Sequence, residues 1–140
     1  MVNRMGISST GFLPSELHHL STLAFAYVGD AVFELMVRTR LCLDGHATAA
    51  GLHRLTVTHV RASSQAAYAR LIFEHLSEEE RSVFLRGRNT ETRSQPSAAT
   101  REEYALATAL ETLWGYLYLT GGRDRLEELL AKLPIGSTFQ

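Results

Sequence analysis

The run Leu23-Ala24-Phe25-Ala26-Tyr27-Val28-Gly29-Asp30-Ala31-Val32-Phe33-Glu34-Leu35-Met36-Val37-Arg38 is apolar around most of a helical circumference, yet it carries Asp30 and Glu34 one turn apart. Residues i and i+4 share a helix face. A buried carboxylate is costly unless it is hydrogen-bonded, paired or bound to a metal. A second run, Ala105-Leu106-Ala107-Thr108-Ala109-Leu110-Glu111-Thr112-Leu113-Trp114-Gly115-Tyr116-Leu117-Tyr118-Leu119, repeats the pattern with Glu111 as its only charge. Two core helices, each interrupted by an acid, restrict the chain to a helical domain in which those acids are answered. A divalent cation between them is one answer, and hard oxygen ligands suit Mg²⁺ or Mn²⁺ rather than Zn²⁺.

The remaining composition narrows the class. A chain of 140 residues is one domain with room for a core. No uncharged apolar run is long enough for a transmembrane helix. Met1 to Pro14 lacks the basic-then-apolar order of a signal peptide. Cys42 is the single cysteine, which excludes an intramolecular disulfide and fits a reducing cytoplasm. The formal net charge of −1 gives no global nucleic-acid signature, so any such surface must be a local patch.

Read in order, residues 1–14 form a flexible Gly/Ser-containing lead-in, 15–133 the folded domain and 134–140 a short tail. Ser15 or Ser21 caps a helix running to about Leu43, where Asp44-Gly45 stops it. A second helix spans Thr48 to Val60, Arg61-Ala62-Ser63 makes a kink, and a third spans Ser64 to Leu76. Ser77-Glu78-Glu79-Glu80 is a capping box that opens a short helix to about Leu85. Arg86 to Ala99 has no apolar period and reads as a loop. Thr100-Arg101-Glu102-Glu103 is a second capping box, and the Glu111 helix follows to about Thr120. Gly121-Gly122 breaks it, and a last amphipathic helix covers Arg123 to Leu133. The expectation is all-α, with about six or seven helices and no strand.

Asp30 and Glu111 are the foremost candidates, against the plainer reading of core-edge acids satisfied by arginine or backbone N–H groups. Glu34 precedes Arg38 by four residues in the favourable order, which points first to a structural ion pair and second to a supporting role. Arg86, Arg88 and Arg93 lie among Gly, Asn89, Thr and Ser. This is the composition of either a solvated loop or a phosphate clamp. The six histidines show no zinc spacing, and no HExxH, CxxC or GxxxxGK[ST] pattern occurs. His53-Arg54 and His59 with Arg61 form at most a basic rim. Gly29 reads as a position for close helix packing, and Trp114, Tyr116 and Tyr118 as core or interface aromatics.

Taken together in their order, several of these segments resemble Mini-ribonuclease III, the small bacterial and plastid branch of the ribonuclease III superfamily. They are Ala26-Tyr27-Val28-Gly29-Asp30-Ala31-Val32-Phe33-Glu34, Leu52-His53, Ser63-Ser64-Gln65-Ala66, Glu78-Glu79-Glu80, Arg86-Gly87-Arg88-Asn89 and Ala107-Thr108-Ala109-Leu110-Glu111-Thr112-Leu113-Trp114-Gly115-Tyr116-Leu117. The resemblance spans about residues 20–130. It implies an all-helical, ribonuclease III-like endonuclease domain that works as a homodimer, cuts double-stranded RNA with Mg²⁺ (Mn²⁺ as a substitute) and trims the ends of 23S ribosomal RNA precursors. It also implies 5′-phosphate and 3′-hydroxyl products, a bacterial cytoplasm or plastid stroma, and no separate double-stranded-RNA-binding domain. By motif match Asp30 and Glu111 fall on the family's catalytic, metal-binding acids, with Glu34 and Thr108 in support. Arg86, Arg88, Asn89 and Arg93 fall on the RNA-contacting region, and Tyr27 near the dimer axis.

Larger relatives carry further acids where this chain has Ala26 and Thr108, a reduction that Mini enzymes share. Mini enzymes usually have Lys in the loop, whereas Asn89 to Thr100 offers Arg93 and no Lys. Two other classes fit part of the pattern. A catalytically silent helical RNA-binding or adaptor protein would use the same surface without cleaving. An all-α nucleotide pyrophosphatase would present ExxE-type acid pairs on one helix, and the core here supplies only isolated acids.

Overall fold

The structure is a computed structural model and describes residues 11–45, 48–90 and 99–135. After a 3₁₀ turn at Pro14–Leu17 come six α-helices: α1 (Thr22–Leu43), α2 (Ala49–Val60), α3 (Ala62–Phe73), α4 (Glu78–Arg88), α5 (Arg101–Leu119) and α6 (Arg123–Leu130). No strand occurs among the described residues, so the all-α expectation holds.

The starts of the helices are set by the hydroxyl residues the sequence offers. Ser21, rather than Ser15, caps α1 and accepts from the Ala24 N–H at 3.1 Å. Thr48 caps α2. Ser77 with Glu80 and Thr100 with Glu103 form the two expected capping boxes at α4 and α5. Gly45, at φ +92°, takes the left-handed conformation that ends the α1 segment.

Four boundaries differ from the sequence expectation. Arg61 is extended and separates α2 from α3 completely, where a kink was expected. The third helix stops at Phe73 rather than Leu76. The last helix stops at Leu130 rather than Leu133. Most consequentially, α4 continues past Leu85 to Arg88, with Asn89 as its C-cap. Arg86 and Arg88 therefore stand on the last turn of a helix, where cations favour the C-terminal end of the dipole, and not in a loop. Gly87 permits this extension, because a Cβ there would meet the Thr112 side chain and approach the Ala109 Cα at 3.0 Å. Within the expected lead-in, residues 11–14 are described and anchored. The Phe12 N–H donates to the Leu119 carbonyl at 2.7 Å.

The centre of the domain is α5, which packs on α1, α3, α4 and α6. Phe33, Val37 and Leu41 of α1, Ala69 and Ile72 of α3, Phe84 of α4, and Leu110, Leu113 and Trp114 of α5 form one continuous core. Trp114 is wholly buried and meets Phe33 edge-on. Arg125 of α6 ties the periphery together through two 2.9 Å bonds to Glu80 and one of 2.8 Å to the His75 carbonyl.

One crossing positions everything that follows. Where α1 and α5 meet, Gly29 faces Gly115 and the two backbones touch. A methyl group at Gly29 would overlap the Glu111 carbonyl oxygen and lie 2.7 Å from the Gly115 nitrogen. A methyl at Gly115 would overlap the Phe25 carbonyl oxygen. Such an approach needs glycine on both helices.

Candidate active site

Asp30 follows Gly29 on α1, and Glu111 lies one turn before Gly115 on α5. The glycine crossing therefore brings their side chains into hydrogen-bond contact. Asp30 is exposed and Glu111 is half-buried. Asp30 opens onto a hollow of about 400 Å³ that is also lined by Ala31, Glu34, Leu35 and Arg38. From the opposite side, Gln65 of α3 donates its Nε2–H to Glu111 Oε2 at 3.3 Å.

Burial, and next the facing Asp30 carboxylate, push the Glu111 pKa up to about 8, and the Gln65 amide offsets part of that rise. Two touching carboxylates cannot both ionise at little cost without a positive charge near them. No arginine or lysine is recorded as an ion-pair partner of either one among the described residues. The donor set is thus two hard anionic oxygens at a solvent-facing rim, short of a positive charge. That chemistry fits a Mg²⁺-class ion, which accepts one or two carboxylates and keeps several waters. No group of three or more His, Cys, Asp or Glu side chains placed to hold a metal ion occurs among the described residues.

The ribonuclease III domain family matches residues 23–122, a span that contains both acids. The chain belongs to the ribonuclease III family. Its curated relatives carry the name Mini-ribonuclease 3. That of Clostridium tetani is 39 % identical over 85 % of this chain and 80 % of its own length. That of Symbiobacterium thermophilum is 42 % identical over 79 % and 85 %, and that of Gloeobacter violaceus 45 % over 84 % of each. A solved structure from Fusobacterium nucleatum matches with a TM-score of 0.74 at 28 % identity, covering 83 % of this chain and 93 % of that one. The chain is accordingly an endoribonuclease of the ribonuclease III type, and its fold is that of the family.

Within this ribonuclease III fold the other expected residues fall into distinct settings. Glu34 pairs with Arg38 on its own helix at 2.7 Å, which is the structural ion pair that the spacing favoured. Thr108 is buried, and its hydroxyl donates to the Tyr104 carbonyl at 3.0 Å, one turn back. Arg88 Nη2 donates to both carboxylate oxygens of Glu102 at 2.9 and 3.1 Å and so joins the end of α4 to the start of α5. Arg86 is exposed and has no ion pair among the described residues; its charge lies near the Tyr116 hydroxyl, which itself donates to Glu79 at 2.6 Å. Asn89 is the exposed C-cap of α4. Arg93 lies outside the described residues.

Tyr27 is 83 % exposed. With Leu23, Ala31 and Leu35 it forms an i, i+4 stripe of exposed apolar residues along α1, directly beside Asp30. The residue that sequence reasoning left without a role is Gln65, which touches Glu111. On α3 this long polar side chain shares a face with Ala62, Ala69 and Ile72, a pattern that does not by itself distinguish a buried amide from an exposed one.

Proposed function

We propose that this ribonuclease cleaves double-stranded RNA in a reaction that requires Mg²⁺ (or Mn²⁺) held by Asp30 and Glu111. The observation carrying this reading is the α1–α5 glycine crossing. It sets two acids from distant parts of the chain against each other at an open rim and leaves their charge without a basic partner. A bound divalent cation supplies stabilisation of charge on the attacked phosphate and activation of the attacking water.

The chain's own groups do the rest. Glu111 is held by Gln65, Asp30 offers its carboxylate from the exposed side, and Arg86 lies free to meet a phosphate. The products are a 5′-phosphate and a 3′-hydroxyl. Duplex RNA offers phosphates and 2′-hydroxyls more readily than base edges, so recognition is by shape with limited sequence preference.

The stripe Leu23, Tyr27, Ala31 and Leu35 supports a two-fold homodimer. An exposed apolar face of this kind marks a contact surface, and a two-fold pair sets two identical sites against the two strands of a duplex. The domain proposed at 15–133 carries the whole activity. Precursor ends of 23S ribosomal RNA in the cytoplasm are the substrate that the Mini-ribonuclease branch implies.

Purified protein mixed with duplex RNA, with Mg²⁺ or with EDTA, tests the core of this reading. Cleavage is expected only with Mg²⁺, and Asp30→Asn or Glu111→Gln should remove nearly all of it while the variants remain folded. Near-wild-type cleavage by either folded variant refutes the assignment of the site. Duplex binding by the wild-type protein with no cleavage at any metal concentration would favour a silent adaptor.

A further inference from the structure

A glutamine is an odd choice for the inner face of α3. The side chains around it in the helix pattern are Ala62, Ala66, Tyr68, Ala69 and Ile72, and Gln65 itself is only 2 % exposed. An amide buried without a partner loses its hydration for nothing, so an apolar residue would pack there at lower cost. The recorded side-chain bond that Gln65 makes is the one from Nε2 to Glu111 Oε2. The chemistry of that bond is selective. An arginine or lysine here would neutralise Glu111 and compete with a cation, and another acid would add repulsion. A neutral amide donor fixes one carboxylate oxygen and leaves the charge in place.

We propose that Gln65 is a positioning residue of the site, whose buried amide holds the Glu111 carboxylate turned toward Asp30 so that a divalent cation meets two oriented acids. This inference rests on the reading of Asp30 and Glu111 as the metal-holding pair. Glu111 stands on a long side chain, and fixing it from α3 removes rotamer freedom that cation binding would otherwise have to remove. Partners that orient metal-holding side chains commonly contribute ten- to a hundredfold in metal affinity.

The test is Mn²⁺ binding to the RNA-free protein, followed by the loss of the free-ion signal in electron paramagnetic resonance. It compares the wild type with Gln65→Leu, Gln65→Met and Glu111→Gln. The methionine variant keeps the approximate length and volume and removes the amide. Both Gln65 variants are expected to melt cooperatively and to bind Mn²⁺ ten- to a hundredfold more weakly, with duplex affinity in EDTA unchanged. That last readout separates positioning from general damage.

If a folded Gln65 variant binds Mn²⁺ like the wild type while Glu111→Gln loses it, the positioning role is overturned and the metal pair stands. If Glu111→Gln also binds like the wild type, the metal pair itself falls. If the leucine variant fails to fold, the methionine variant decides. Failure of both to fold makes Gln65 a packing residue and overturns the proposal.

Discussion

Replacing Gly29 by alanine tests the link between the fold and the site in one step. On an ordinary helix surface the change would stabilise by about 0.5–1 kcal/mol, because alanine loses less backbone freedom. Here the added methyl would overlap the Glu111 carbonyl oxygen and lie 2.7 Å from the Gly115 nitrogen, both of them backbone atoms that no rotamer change can move. Restoring normal contact near about 3.5 Å at the Glu111 carbonyl oxygen requires α1 and α5 to part by roughly 2 Å there. Forced expansion of this kind costs about 1–3 kcal/mol. The same parting draws Asp30 away from Glu111, and misplacement by about 1 Å at a reacting centre costs on the order of a hundredfold in rate.

Gly29→Ala should therefore lower the melting temperature by several degrees, at roughly 4 °C per kcal/mol for a domain of this size. It should also cut single-turnover cleavage of duplex RNA about a hundredfold under conditions where the variant is fully folded. Gly115→Ala, which meets the Phe25 carbonyl, should behave alike. A Gly29→Ala protein with unchanged melting temperature and unchanged cleavage would show that the backbone contact does not set the geometry of the two acids.

Much of this arrangement is written in local chemistry. The two capping boxes, the apolar periods around Asp30 and Glu111 and the Glu34–Arg38 spacing all depend on neighbours within a turn or two, and each reappears in the structure. What depends on tertiary contact was harder to see. Propensity gives no reason for α4 to run through Arg86-Gly87-Arg88. The extension is bought by packing Gly87 on Thr112 and Ala109 and by the Arg88–Glu102 bond, whose partner lies across residues 89–101. The same bond gives Arg88, which reads from composition as part of either a solvated loop or a phosphate clamp, a carboxylate partner in Glu102. Gln65 remained undistinguished for a related reason: in a single sequence, a buried polar residue among alanines cannot be told from an exposed one until the facing helix is known.

Three further outcomes follow from these placements. Arg86→Ala should weaken duplex binding and reduce the slope of log affinity against log salt by about one unit, whereas Arg88→Ala should act mainly on stability, by about 0.2–1 kcal/mol, through loss of the Glu102 pair. Equal salt slopes for Arg86→Ala and wild type would leave Arg86 merely solvated. Tyr27→Asp should yield a monomer in sedimentation and lose double-strand cleavage; a wild-type protein that sediments as a monomer at micromolar concentration with full duplex-cutting activity would refute the dimer.

The last outcome concerns pH. Glu111 titrates near 8 in the folded, cation-free protein, against an ordinary 4.5, so between those values the native state holds a proton that the unfolded chain has released. Stability must then fall as pH rises through this window and level off above it. At 1.36 kcal/mol per pKa unit the total is on the order of 3–5 kcal/mol. Urea unfolding in EDTA at pH 5.5 and pH 8.5 reads this loss directly. Glu111→Gln removes the titrating group and should flatten the profile, and Mg²⁺ should restore stability to the wild type at the higher pH, because a cation takes over what the proton does for the pair. A wild-type profile as flat as that of Glu111→Gln would mean that the two acids do not oppose each other in the folded protein, and the charge argument for a cation between them would fail with it.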